Sequence, residues 1–257
     1  MELYGRHTLN TYHHVKHAGN LADLHKHLLL SHLLETLKID RYLETHAGSG
    51  LYELPPEGEW QQGINLLWKQ SRFKLAEVYF QALQTLNPEQ LQHYPGSPWL
   101  AERLLGAGTL TLFELEMEAA DQLRHNLAGV DVRTGDGFSG VLPLIEPHSL
   151  ILIDPPYKDD DDYERVITLL ESLEPIPDIH VMLWYPVFSD GSEKAFLSQL
   201  DKYLGNHCWR SELNFAEPVG QLSGSGVAVF GDEPLTTDEQ CELCELADWV
   251  GSTVRFV

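Results

Sequence analysis

Cysteine is scarce, with three in 257 residues, at positions 208, 241 and 244. So sparse and odd a set excludes a disulfide framework and fits a reducing cytosol. Apolar runs extend only a few residues, which excludes a membrane-spanning helix. The opening Met1-Glu-Leu-Tyr-Gly-Arg-His7 lacks a signal-peptide pattern. Positive charge is also in short supply: 17 Lys/Arg face 39 Asp/Glu, a net charge of −22. That balance argues against a non-specific coat on nucleic acid. These deficits predict a cytoplasmic protein whose partners include no membrane. The 43% apolar content supplies a real core, and 257 residues suit one large α/β domain or a domain with an insertion.

The scarce positive charge is unevenly placed. Residues 1–41 hold five Lys/Arg against four Asp/Glu, a net of +1, leaving −23 for the remainder. Seven of the thirteen histidines fall within the first 32 residues, so a polyanion should meet this end first. His13, His14, His17, His25 and His27 invite a metal reading. His14-x-x-His17 nevertheless lacks the glutamate that would complete a hydrolase site, so no metal is expected. Cys241-x-x-Cys244 has no second pair nearby and lies in an amphipathic stretch over 238–249, where packing is the ordinary role.

Along the chain, helical and extended patterns alternate. Residues 20–38 carry leucines at helical spacing behind a capping Asn20. Tyr42 to His46 reads as a short strand entering the turn Ala47-Gly-Ser-Gly-Leu51. Residues 55–95 have helical periodicity around Trp68, Leu75, Val78, Phe80, Leu83 and Leu86, interrupted at Asn87-Pro88. This predicts a small helical insertion in a single domain spanning 1–257. A helix follows over 99–105. Strands are expected at 110–115 and 130–133, separated by a helix over 116–127. Further on come an acidic loop at 158–163, a helix over 164–173, a strand at 180–185 and a helix over 192–204. Two antiparallel strands, near 213–215 and 226–231, would close the sheet. The alternation implies a mostly parallel, Rossmann-like sheet covered on both faces.

The most informative stretch is Ser149-Leu-Ile-Leu-Ile-Asp-Pro-Pro-Tyr157. Its apolar run suits a strand buried on both faces, and the two prolines stop regular pairing after Asp154. A carboxylate, a rigid turn and an aromatic ring thus arrive together at a strand's C-terminal end, where open α/β sheets bind ligands. Asp154 and the Pro155 carbonyl can accept the two N–H groups of a planar amine while Tyr157 stacks on its ring. Three signals precede it in order: Glu44-Thr-His-Ala-Gly-Ser-Gly50, Glu114, and Asp136-Gly137. A glycine turn, two strand-end acids and a catalytic turn are the order expected of an S-adenosylmethionine-dependent methyltransferase. In that reading Glu114 accepts the ribose hydroxyls and Asp136 the adenine amine of the cofactor. Adenine N6 is a poor nucleophile because its lone pair is delocalised. Hydrogen bonds to Asp154 and Pro155 favour a pyramidal nitrogen, and alignment supplies much of the remaining catalysis. The target base would have to be flipped out or single-stranded.

Several strings together carry a family resemblance: Tyr12 with His17-Ala-Gly-Asn20, Ala22-Asp23 and Lys26-His27; Leu43-Glu-Thr-His-Ala-Gly-Ser-Gly50; Tyr94-Pro-Gly-Ser-Pro98; Glu114; Asp136-Gly-Phe138; Leu152-Ile-Asp-Pro-Pro-Tyr157; and Leu183-Trp-Tyr-Pro-Val187. In this order, over about residues 12–230, the chain resembles the RlmJ-type bacterial 23S ribosomal RNA adenine-N6 methyltransferases. The resemblance implies a class I methyltransferase fold with a helical insertion. It also implies S-adenosylmethionine contacts at His27, His46, Ser97, Glu114, Asp136, Gly137 and Asp154. Asp154 would be the catalytic acceptor, and Tyr12 the residue that meets RNA alongside Tyr157. Two other readings compete. A DNA adenine methyltransferase would need a larger basic recognition element than Lys69, Arg72 and Lys74 provide. A non-enzymatic nucleic-acid-binding or uptake protein would have no use for an intact Asp154-Pro-Pro-Tyr157.

Overall fold

A computed structural model describes residues 14–70, 72–158, 160–204, 208–231 and 234–257. Tyr12 and His13 lie outside the described residues. The chain begins with a single turn, α1 (His14–His17), and a long helix, α2 (Leu21–Thr36). The Asn20 side chain caps α2 by accepting from the Asp23 amide. Strand β1 (Arg41–Glu44) leads to a short strand β2 (Leu51–Glu53). Its antiparallel partner β3 (His93–Pro95) follows after an excursion containing two 3-10 turns, Glu59–Gln61 and Ile64–Leu66, and helix α3 (Glu77–Leu86). Trp68 and Leu75, which sequence periodicity assigned to a helix, pack from irregular backbone into the same core as α3.

The Rossmann-like alternation then runs through α4 (Ser97–Leu105), β4 (Leu110–Glu114), α5 (Met117–Asn126) and β5 (Asp131–Thr134). It continues through α6 (Gly137–Gly140), β6 (Ser149–Ile153), α7 (Asp160–Leu173), β7 (His180–Phe188) and α8 (Lys194–Leu204). Helix α4 starts two residues before its expected position because Pro98 sits in its first turn, where no amide partner is needed. Residues 160–163, expected as loop, are already helical in α7, where acids at a helix start meet its positive end. Strands β8 (Cys208–Val219) and β9 (Leu222–Phe230), helix α9 (Thr237–Trp249) and strand β10 (Thr253–Phe256) complete the chain.

The eight-stranded sheet has the order β10-β8-β9-β7-β6-β1-β4-β5. Strands β5, β4, β1, β6 and β7 are mutually parallel, and β9 inserts antiparallel between β7 and β8. The alternating residues of β6 show why both faces are buried. Leu150 and Leu152 join Leu24, Leu28, Leu100 and Leu123 on the α2, α4 and α5 face. Ile151 and Ile153 join Phe138, Val166 and Phe196 on the α6, α7 and α8 face. The central strand β1 has β4 on one side and β6 on the other, so the chain reverses its progress across the sheet there. Ligand crevices open at such switch points, beyond the strands' C-terminal ends. Among the described residues no helix is long and apolar enough to cross a membrane.

Candidate active site

All four strand-end signals reach one edge of the sheet. The turn after β1 is tied to both neighbours: Thr45 N donates to Leu152 O at 3.1 Å and Ala47 N to Phe113 O at 2.9 Å. Gly48 and Gly50 adopt φ of +61° and +73°, a region other residues rarely enter. Glu114, the last residue of β4, accepts from Gly48 N at 2.8 Å and from Glu116 N at 2.8 Å. Gly137, after β5, comes so close to β1 that an added Cβ would lie 2.0 Å from Thr45 O. The Asp136 carboxylate caps α6 through Phe138 N and also takes hydrogen bonds from Ser139 and Arg165. Burial alone would raise that carboxyl, but the Ser139 and Arg165 bonds outweigh it and hold it below its ordinary value.

Beneath the turn lies a buried acid that sequence reasoning left without a role. Glu44 is fully enclosed at the end of β1 and accepts from Tyr42 Oη and Ser97 Oγ. Burial pushes its carboxyl up to about 8. Ser97 thus sits against Glu44, and His27 is buried with Nδ1 2.7 Å from Tyr94 Oη. His46 stacks edge-on against Phe138, with ring centroids 4.8 Å apart, and burial lowers its imidazole against the pull of Asp154.

Asp154 follows the buried β6 strand and its carboxylate is engaged. Lys26 Nζ lies 2.6 Å from Asp154 Oδ2 and 3.2 Å from Asp23 Oδ1. Burial would lower the Lys26 ammonium, but Asp154 and Asp23 overcome it and raise the group above its ordinary range. Lys26 also lies 5.8 Å from the centre of the Trp184 ring on β7. Tyr157 has φ of +48° and donates to Trp184 O at 2.8 Å, which fixes its ring among Trp184, Tyr163 and Phe196. Burial raises the Tyr157 phenol well above its ordinary value, so the hydroxyl stays protonated. The structure therefore brings Asp154, Tyr157, His46, Glu114, Asp136, Gly137 and Ser97 to one end of the sheet, with His27 buried on α2 behind it. Sequence reasoning assigned no part to Lys26, Asp23 or Trp184. The available signal was Asp23-x-x-Lys26, a charged pair one turn apart in a leucine-rich helix.

The arrangement selects among ligands. Acidic side chains at 44, 114, 136 and 154 stand at or just beyond the ends of four parallel strands around a tight glycine turn. A ribose diol is well matched to the Glu114 carboxylate at the end of β4, and the excess of acids over cations among Asp23, Lys26, Glu114, Asp136, Asp154 and Arg165 suits a ligand that also carries positive charge. S-adenosylmethionine has both features, so these residues fit it.

Comparison with known proteins agrees with this chemistry. A family model described as RsmJ, ribosomal RNA large subunit methyltransferase D, RlmJ, matches residues 38–255. A protein of Haemophilus influenzae named ribosomal RNA large subunit methyltransferase J is 37% identical over 252 residues, covering 90% of this chain and 89% of that protein. The Escherichia coli protein of the same name is 36% identical over 210 residues, covering 74% and 75%. A Legionella pneumophila protein of known crystal structure superposes with a TM-score of 0.83 at 26% identity, covering 94% of this chain and 98% of that one.

Proposed function

The chain belongs to the RlmJ family of ribosomal RNA large subunit methyltransferases, and we propose that it methylates the exocyclic N6 of an adenine in 23S ribosomal RNA, at a site centred on Asp154. The observation that carries the assignment is the delivery of Asp154, Pro155 and Tyr157 to the edge that also presents the glycine turn and Glu114. S-adenosylmethionine supplies an electrophilic methyl group when bound. Glu114 and the 46–50 turn would hold its ribose and methionine parts, with His27, Ser97, Asp136 and Gly137 bordering the same site. Glu44 lies directly beneath that turn and bonds Ser97.

Asp154 and the Pro155 carbonyl would each accept one N–H of the target amine. This holds the nitrogen lone pair toward the methyl donor and stabilises positive charge as it develops on nitrogen. The amine needs no strong base, because its proton becomes acidic only after the nitrogen has been alkylated. Tyr157, fixed through Trp184, would supply a ring face on which the extruded base rests. That contact offsets part of the few kcal/mol that unstacking costs. Tyr12 is proposed to meet the RNA, and naked RNA or an assembly intermediate can present a base that is already unpaired. In this reading the protein works in the cytoplasm on ribosomal RNA, with no metal in the reaction.

The test is nucleoside mass spectrometry of ribosomal RNA and DNA from cells with and without the gene. Loss of N6-methyladenosine from 23S RNA, with DNA unchanged, is the expected result. Unchanged 23S RNA would overturn the assignment.

A further inference from the structure

A chain of contacts runs from the surface of the 55–95 excursion to the carboxylate of Asp154. It begins at Glu59, in the first 3-10 turn. Glu59 Oε1 lies 2.7 Å from His17 Nδ1, and Oε2 accepts from Asn20 Nδ2 at 2.9 Å. The two contacts clasp the short turn between α1 and α2. Inside that turn, Asn20 Oδ1 accepts from Asp23 N at 2.9 Å, and Gly19 N donates to Asp23 Oδ2 at 3.0 Å. The other oxygen of Asp23 lies 3.2 Å from Lys26 Nζ, which lies 2.6 Å from Asp154.

The excursion also shapes the turn from behind. Ile64 N donates to Gly19 O at 2.9 Å. Gly63 packs so closely that an added Cβ would lie 2.2 Å from that same oxygen. Gly19 has φ of +77°, and an added Cβ there would lie 2.9 Å from Ile64 Cγ2. Residues 58–66 thus form a fitted seat for the 17–20 turn. Of the excursion's three cations, Lys69 lies 4.4 Å from the centre of the Trp68 ring, Arg72 pairs with Glu245 at 3.0 Å, and Lys74 is exposed.

We propose that Glu59 is a positioning residue for methyl transfer: by clasping His17 and Asn20 it fixes Asp23, and through Asp23 and Lys26 the direction in which the Asp154 carboxylate points. The excursion then serves the reaction as a seat for the start of α2. This rests on the assignment of Asp154 as the acceptor of the target amine. Glu59 lies outside the residues assigned to substrate and cofactor. It acts on catalysis through a contiguous set of packed, hydrogen-bonded groups, a form of coupling that mutational cycles can measure.

The experiment measures methyl transfer to unmethylated 23S RNA transcribed in vitro, together with the cofactor dissociation constant and the melting midpoint. Glu59→Ala is expected to lower the rate at saturating RNA and cofactor by roughly tenfold, as slight misplacement of a reacting group does. Cofactor affinity should stay within about threefold of the parent, a much smaller change than the rate shows. Glu59→Gln, whose amide can still accept from Asn20 and donate to His17, should recover most of the rate. Combined with Asp23→Asn, Glu59→Ala should add little, since both interrupt one path. A parental rate in Glu59→Ala overturns the proposal. So does a rate loss matched by loss of cofactor affinity, or a double variant whose losses multiply. Should Glu59→Ala fold poorly, His17→Ala opens half the clasp at a side chain 43% exposed. It should slow transfer by about threefold, and a parental rate there also overturns the proposal. Asp154→Ala separates the two claims. Its continued turnover defeats the catalytic assignment of Asp154, whereas an inert Asp154→Ala beside a fully active Glu59→Ala defeats the Glu59 assignment alone.

Discussion

On the proposed assignment Asp154 meets the target amine already occupied by Lys26, so the amine would share the carboxylate with an ammonium 2.6 Å away. Asp154→Asn keeps the shape of the side chain and loses the charge. It should reduce methylation by on the order of 10²–10³, as loss of one preorganised electrostatic partner does. Circular dichroism should show the fold retained. Lys26→Met acts differently, because it leaves Asp23 and Asp154 without their shared cation in a nearly closed space. Breaking a buried pair from one side costs about 3–5 kcal/mol, measurable by denaturant titration. Glu44 provides a pH prediction. Its folded carboxyl stands near 8 because burial disfavours the anion, against an ordinary 4.5. The folded chain therefore keeps a proton that the unfolded chain gives up. That contribution is complete below about pH 4.5 and is lost as pH rises toward 8. Melting curves of Glu44→Gln should accordingly change less between pH 5 and 8 than those of the parent. The Asp154-Pro-Pro-Tyr157 cluster was legible in the sequence because an apolar run and two prolines announce a strand end. The partner of Asp154 was not legible. Lys26 lies 128 residues away, and only folding brings the first turns of α2 to the edge of β6.

The parallel strands were readable because their apolar residues form short runs bounded by turn residues, and most of the following helices because theirs recur at period 3.6. Of the short antiparallel pair, β2 lies just before and β3 at the end of a segment whose composition is helical. Three-residue strands carry too few alternations to be recognised. Strand β10 also escaped; Thr253–Phe256 lies at the sheet edge against β8, with exposed and half-buried residues alternating. Close packing between elements is likewise unreadable until the fold is known. Gly137 looks like an ordinary turn glycine, yet it starts α6 directly over the backbone of β1. Gly137→Ala must push that backbone aside. It should cost about 1–3 kcal/mol of stability, the usual range for overpacking, and weaken cofactor binding as seen by calorimetry. An unchanged midpoint and affinity would show that α6 moves freely.

At the scale of the molecule, a net charge of −22 must be reconciled with an RNA substrate. Such a chain can neutralise few phosphates at once. The plot of log affinity against log salt should therefore be shallow, with a slope between zero and about −3, corresponding to about four contacts at roughly 0.7 each. Filter binding over a range of potassium chloride concentrations measures it, and a steeper slope would reveal a basic surface that the sequence does not suggest. The sheet order has a further consequence, for how the protein is born. Strand β9 separates β8 from β7, so on the side facing the sheet interior residues 208–219 have no neighbour until residues 222–230 have been synthesised. The outer strands must therefore dock as a hairpin, late in synthesis. A nascent or truncated chain that stops short of them leaves the long, largely buried strand at 180–188 with one row of amides and carbonyls open, ready to stick to another chain.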